Sequence, residues 1–411
     1  MRDMKSTLVD LRRSNTPSVA TVGTARCISY NLGRVRHAIR QCVEELPDMQ
    51  ELLRDARCVL LKPNLLASMR DPEAHINTHP AVVQALAELL KSEFGCEVSI
   101  GDSTSTLAEG STARAIVNSQ MDAAAAAAGA RIYNVDTQPR HIVSFEQARL
   151  YTQIPLPSNL DQFDLIISVA KLKTHGLTYV TGPVKNMLGL VPGAGKKQAH
   201  LLAPHMDEFA TLLCDLYALV RPRAAFVDGV IGMEGRGPAN GSLRHVELIA
   251  ASCDPVALDS FCAQVMGFNP MTIPLLAQCQ ERGLGVADAE HIVARGEDAS
   301  AFAPESFAKP PAYVRALHYG VMPRWLFRAA LHCIGTRYAA IDQARCTRCG
   351  ECARNCPSLA ISFDDLANLY RVERRKCISC HCCTEVCPAD AIRMRGTWLR
   401  RGFQRVRSAF R

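Results

Sequence analysis

Between residues 19 and 266 the chain alternates short runs of β-branched and aliphatic residues with longer helix-like stretches that mix apolar and polar positions. A strand turns successive side chains to opposite faces, whereas a helix returns to the same face every 3.6 residues, so pattern alone separates the two. The apolar runs predict strands at 19–22, 58–62, 97–101, 131–135, 164–170, 224–227 and 247–251. Helices are predicted at 32–46, 80–94, 112–129, 206–220 and 255–266. Pro80 suits a first helical position after His79, and the alanine run 123–128 favours a helix that Gly129 would stop. Strands alternating with helices predict an α/β domain, a mostly parallel sheet flanked by helices.

The rest of the chain reads differently. Residues 1–17 are a polar N-terminal extension, and 18–301 the α/β domain. Residues 302–340 carry Pro304, Pro310, Pro311 and Pro323, with no acid between Glu305 and Asp342, and form a basic connector. A small α+β ferredoxin-like domain is expected at 341–394, and 395–411 is a basic tail.

Composition narrows the class. Of 411 residues, 48% are hydrophobic and 21% charged, as in soluble globular proteins. No N-terminal stretch resembles a signal peptide, and no apolar run reaches the ~18–20 residues of a membrane span, so the cytoplasm is expected. The net charge is +7, and residues 393–411 hold seven arginines and no acid, so 7 − 7 leaves the remainder neutral. The basic character belongs to the tail, and a nucleic-acid-binding body is not expected. In that tail Leu399, Phe403, Val406 and Phe410 share one helical face beside Arg400, Arg401, Arg405, Arg407 and Arg411. It reads either as a peripheral membrane contact or as a docking helix for an acidic redox partner.

Nine of the 18 cysteines crowd into residues 346–387. Cys346, Cys349, Cys352 and Cys356, followed by Pro357, recur 31 residues later as Cys377, Cys380, Cys383 and Cys387, followed by Pro388. This doubled spacing predicts two 4Fe–4S clusters, in which the fourth cysteine of each half serves the other cluster. Cys346, Cys349, Cys352 and Cys387 are the expected ligands of one; Cys377, Cys380, Cys383 and Cys356 of the other. Four soft thiolates also suit zinc, which the doubled pattern argues against. Cys382 lies outside the repeat and reads as a bystander thiol. The nine scattered cysteines read as reduced core residues.

The large domain carries polar residues at its strand ends. Lys62 and Asn64 follow one strand and Asp102 and Ser103 another; Lys171, Lys173 and His175, then Lys185 and Asn186, follow a third. In open α/β sheets ligands bind beyond the carboxyl ends of strands. Lys62, Asn64, Lys185 and Asn186 are therefore candidates for binding a small anion, a carboxylate or phosphate. Lys171, Lys173, His175 and Asp102 are candidates for chemistry, with His175 or Asp102 moving protons. Singly, each reads as readily as an exposed loop residue or a structural cap; as a group they point to a site. Residues 189–197, GLVPGAGKK, lack the first glycine and the final Ser/Thr of a P-loop, and no Gly-x-Gly-x-x-Gly opens a helix. No nicotinamide or P-loop nucleotide site is expected.

The motifs KPN, GDS, KxKTH, GPVKN, VDGVIGMEGRGP and DPVALD, in this order, resemble the domain-of-unknown-function family 362, often called iron–sulfur centre proteins. The resemblance covers roughly 18–266 and 341–394. It implies an α/β domain with a ferredoxin module and marks Asp228, Glu234, Asp254 and Asp259 besides the residues above, without specifying a reaction. Asp254 and Asp259 open a helix, so capping explains them as readily as catalysis. The combined expectation is an oxidoreductase passing electrons from a protein donor through two clusters to an anionic substrate or further cofactor. The alternatives are a non-catalytic carrier or maturation factor, and a non-redox enzyme with structural or sensory clusters.

Overall fold

The computed structural model describes residues 19–66, 72–104, 109–304, 306–310 and 337–396. The N-terminal extension, residues 311–336 of the connector and the basic tail beyond Gly396 lie outside them. In chain order the large domain has β1 (Ala20–Arg26), β2 (Cys58–Pro63), β3 (Glu97–Ile100), β4 (Arg131–Ile132), β5 (Arg140–Ser144), β6 (Gln153–Pro157), β7 (Leu165–His175), β8 (Tyr179–Thr181), β9 (Ala224–Glu234), β10 (Ser242–Ser252) and β11 (Ile292–Arg295). The main sheet runs β11-β1-β10-β9-β7-β2-β3-β4, with β8 on the far end of β7. Five of its pairings are parallel, and β10 is antiparallel to both β1 and β9.

Strand parity builds two cores. Leu60, Ala170, Leu172, Ala225, Val227, Leu248 and Ala250 face the helices Met206–Val220, Pro255–Val265 and Pro274–Glu281. Their neighbours Val59, Leu61, Ile167, Val169, Ala224, Phe226, Ile249 and Ala251 face the helices Leu32–Glu44 and Pro80–Phe94. A sheet covered on both faces makes such near-continuous apolar strands.

The helix Pro80–Phe94 has Pro80 at its first position, His79 accepting from Ala81 N–H, and left-handed Gly95 at its end. The stretch expected as one helix at 112–129 is two, Ser111–Asn118 and Met121–Ala128, because Gln120 adopts a left-handed conformation between them. Strands β7 and β9 run five and seven residues past their predicted ends, to His175 and Glu234. Their last residues are polar, so an apolar-run criterion stops short. Residues 302–304 and 306–310, assigned to the connector from sequence, pack on the large domain: Phe302 and Phe307 join its core, and Ala308 N–H donates to Glu234.

In the small domain β12 (Arg337–Ile341) pairs with β15 (Ile392–Gly396), and β13 (Ile361–Asp364) with β14 (Leu369–Val372). The 31-residue repeat is visible in the backbone. Helix Glu351–Arg354 recurs as Cys382–Glu385, and the positive φ angles at Arg348, Gly350 and Leu359 recur at Ser379, His381 and Asp390.

Candidate functional site

The carboxyl ends of β2, β3 and β7 meet in a buried polar network. Lys62 Nζ donates to Asp102 Oδ1 at 2.7 Å, Asn186 Oδ1 at 2.8 Å and the Pro63 carbonyl at 2.9 Å, which uses all three of its protons. Asp102 also accepts from the Leu65 and Ser103 amides, both at 2.7 Å. Asn186 Nδ2 donates to the Lys62 carbonyl and to Ser168. Lys173 Nζ donates to Asn64 Oδ1 at 2.8 Å, and Asn64 Nδ2 to Asn186 at 3.2 Å. Such interlocked partners fix side-chain positions, since any unpaired buried group is costly.

Above this network lies a pocket of about 740 Å³, lined by Lys62, Asn64, Asp102, His175, Lys185 and Asn186, and also by Lys196, Lys197 and His200. The small domain closes it with Asn355, Pro357, Cys382, Glu385 and Val386. Four lysines face two carboxylates, Asp102 and Glu385. Neither Lys185 nor Lys197 has a hydrogen-bond or ion-pair partner among the described residues. Lys196 donates to the Ser103 and Thr104 carbonyls, and burial brings its pKa down to about 8.

His175 Nδ1 accepts from the amides of Leu177 and Thr178, at 3.0 and 3.2 Å, so the neutral ring carries its proton on Nε2. Nε2 is 3.1 Å from Glu385 Oε1, within ion-pair distance though not aligned as a hydrogen bond. Burial, reinforced by Lys185, brings the imidazole down to about 3. Burial alone would raise the Glu385 carboxyl, but His175, Lys185 and His200 outweigh it and bring it to about 2. A neutral imidazole therefore faces a carboxylate. His200, stacked on Phe209 at 4.6 Å, is brought to about 4 by burial.

Several expectations need correction. Lys171 does not line the pocket. It is in phase with Leu165, Ile167 and Val169 along β7, so it faces the layer opposite Lys62, which is in phase with Leu60. There it pairs with Asp228 at 2.9 Å and Tyr30 at 2.7 Å, with no exposed surface. Lys173 is likewise sealed beneath Asn64 and Ile76; burial, with Lys185 and Lys171 adding, holds it well below its ordinary pKa. Asp102, with three donors on its oxygens, positions Lys62 and is not a free acid. His175 does not titrate near neutrality, as an unperturbed imidazole would. Asp254 caps the helix Pro255–Val265, and Asp259 accepts from Val184 N–H, so both are structural.

Sequence reading missed Lys196, Lys197, His200 and Glu385. The first two sit in the GAGKK run, whose only sequence signal is an incomplete P-loop. Nothing local marks Glu385, because its neighbours in the pocket come from another domain. Cys382, read as a bystander, lines the pocket.

The cysteines ring two further cavities, each of about 310 Å³. Cys356, Cys377, Cys380 and Cys383 line one; Cys346, Cys349, Cys352 and Cys387 line the other. Among the described residues no three donors converge on a single-ion position. Thiols spread around a cavity suit a cubane, whose own iron and sulfide span the gap, and each foursome fits a 4Fe–4S cluster. The domains join through Arg236 to Asp390 at 2.6 Å, Asn240 to the Thr384 carbonyl at 2.9 Å, and the His175–Glu385 contact.

Residues 59–264 match a family described as a domain of unknown function, DUF362, and residues 339–394 match a 4Fe–4S dicluster domain. The chain is similar to a thylakoid-associated protein of Synechocystis sp., 32% identical over 279 residues, covering 66% of this chain and 82% of the relative. Among solved structures it is similar to the lactate racemase apoprotein from Thermoanaerobacterium thermosaccharolyticum, with a TM-score of 0.40 and 11% identity over 63% of this chain and 59% of that one. A Thermotoga maritima protein gives a TM-score of 0.31 and 13% identity, over 51% and 52% of the two chains.

Proposed function

The chain belongs to the DUF362 family and carries a 4Fe–4S dicluster domain, and from that premise we propose that it is an iron–sulfur oxidoreductase acting on a small anion. Electrons would arrive through the two clusters from a protein donor and reach a carboxylate, a phosphate or a bound anionic cofactor in the pocket. The observation that carries this reading is the shared wall: Lys185 and Lys197 of one domain and Cys382 and Glu385 of the cluster domain line one cavity. When bound by the two cysteine foursomes, the clusters would supply one-electron reduction. Lys185 and Lys197 bind the anion, while Lys62 and Lys196, held by their own partners, contribute positive field. His175 offers its Nε2 proton as a hydrogen-bond donor, oriented by the amides on Nδ1.

The test is reoxidation of the dithionite-reduced holoprotein by a panel of carboxylates and phosphoesters, followed at the cluster absorbance. One class should reoxidise it catalytically, and Lys185→Gln should weaken that reaction at least tenfold. Reoxidation only by a protein would favour an electron carrier. Activity that persists with the clusters held in one oxidation state would favour a non-redox enzyme.

We further propose a peripheral location on a membrane surface. The similar Synechocystis protein is thylakoid-associated, and the sequence of the arginine-rich tail spaces Leu399, Phe403, Val406 and Phe410 at a helical period. Among the described residues no helix is long and apolar enough to cross a membrane. Each basic residue near an anionic surface contributes about 1 kcal/mol, screened by salt. Full-length protein should float with anionic liposomes and a chain ending at Met394 should not. Equal flotation of both would remove the tail as an anchor.

A further inference from the structure

The two cysteine cavities differ in their surroundings. Cys356, Cys380 and Cys383 are 7%, 7% and 8% exposed. Around the other cavity only Cys352 is buried, and Cys349 is open to solvent. The difference follows the position of the large domain. Asn355 and Pro357, which line the pocket, bracket Cys356; Cys382, which also lines it, precedes Cys383. Pro357 is a wall of both the pocket and the Cys377 cavity, whereas none of the residues lining the Cys346 cavity lines the pocket.

His381 adds an independent sign. It is a wall of the Cys377 cavity and holds φ +68°, where the first half of the repeat has Gly350 at φ +80°. A non-glycine is sterically disfavoured there. Its ring packs so closely on the large domain that a Cβ on Gly176 would come within 2.7 Å of its Nδ1. Cys382 lies between the ligand candidates Cys380 and Cys383 in sequence and lines the pocket.

Resting on the electron-transfer reading above, we infer that Cys356, Cys377, Cys380 and Cys383 hold an inner cluster that exchanges electrons with the pocket, and that Cys346, Cys349, Cys352 and Cys387 hold an outer one that meets a protein carrier at the exposed Arg348–Cys349 edge. Electrons move inward singly: a one-electron protein donor reduces the outer site, which is reoxidised as the inner site is reduced. Cys382 is a positioning residue between the inner site and the pocket. A thiol placed there can donate to ligand sulfur, and hydrogen bonds to ligand sulfur raise a cluster's potential.

The two couples are separable in anaerobic holoprotein by EPR-monitored titration with dithionite. Lys185→Gln removes a positive charge on the pocket side and should lower one couple. Cys382→Ala should lower that same couple, and Arg348→Gln should lower the other. A tenfold change in a reduction equilibrium reads as ~59 mV for one electron, and shifts up to that size are expected. Lys185→Arg, which keeps the charge, should restore the original value, and iron content checks that each variant is loaded. The assignment is overturned if Lys185→Gln moves the couple that Arg348→Gln moves, or moves neither. If no anion turns over while these shifts occur, the proposed activity fails and the cluster order stands, so the two failures are distinct.

Discussion

Lys171→Ala and Lys185→Ala remove the same charge from the same domain and should have opposite consequences. Lys171 Nζ is fully buried, 2.9 Å from Asp228 Oδ2 and 2.7 Å from the Tyr30 hydroxyl. Removing one partner of a buried pair typically costs about 3–5 kcal/mol, because the remaining charge stays desolvated. Asp228 would keep two donors, Tyr30 O–H at 2.8 Å and His79 N–H at 2.9 Å, which places the loss near the lower end, ~3 kcal/mol. Lys185 is half-buried and has no partner to strand among the described residues, so its removal should cost less than about 1 kcal/mol. For a domain of this size each kcal/mol shifts the melting midpoint by about 2 °C, so the variants should differ by several degrees in anaerobic far-UV dichroism. Anion binding should show the reverse order: Lys185→Ala weakens it at least tenfold, and folded Lys171→Ala binds normally. Both comparisons belong at neutral pH. Burial would raise the Asp228 carboxyl, but Lys171 and the His79 amide outweigh it and hold it below its ordinary range. The pair's contribution is therefore present above the ordinary aspartate range and disappears as pH falls through the lowered value. Equal losses of stability in the two variants, or loss of binding in a fully stable Lys171→Ala, would refute the reasoning.

Three further outcomes are expected. Burial pushes the Asp259 carboxyl up to about 7, so the folded state binds its proton more tightly than the unfolded state. Stability should fall as pH rises from about 4 to about 7, by at most ~4 kcal/mol at 1.36 kcal/mol per pKa unit, and Asp259→Asn should flatten that slope in urea unfolding. A Cβ at Gly189 would lie 1.9 Å from Asp102 Oδ1 and 2.3 Å from Lys62 Nζ, so Gly189→Ala should cost about 1–3 kcal/mol and disrupt the pocket floor; unaltered binding and stability would contradict the packing. Anaerobic protein should contain about eight irons and eight sulfides, and Cys387→Ala should damage the site built from Cys346, Cys349 and Cys352. Stoichiometric zinc without iron would rule out the cubane assignment.

The elements legible in the sequence are those whose signal is local. The helices Pro80–Phe94 and Met206–Val220 match their predicted limits, because Pro80 and Gly95 punctuate the first and acids open the second. The hairpin of β5 and β6 was missed: Arg140–Ser144 is exposed along most of its length, and Pro155 and Pro157 argue against a strand. The helix Pro274–Glu281 was missed because it has only eight residues, three of them fully buried. Strand β10 starts at Ser242, five residues before its predicted start, in a polar stretch exposed to solvent.

The site was legible as far as strand ends reveal it and no further. Lys62, Asn64, Asp102, His175, Lys185 and Asn186 were found because a polar residue just past an apolar run has nowhere to go but the sheet's edge. That rule says nothing about which face a residue takes. Lys62 and Lys171 both close apolar runs, yet parity along β2 and β7 sends one to the pocket and the other to Asp228. Nor does it reach across domains. Glu385 lies 385 − 175 = 210 residues from His175, and Gly176 is a glycine where a Cβ would strike His381. The lack of a side chain at Gly176 lets the cluster domain approach, and the approach closes the pocket. Gly176→Val should therefore push the small domain away and open the Lys185 side to solvent, while leaving both cysteine foursomes intact within their own domain. Retention of two clusters with loss of anion binding is the expected result, and retention of both would show that the pocket does not need its cluster-domain wall.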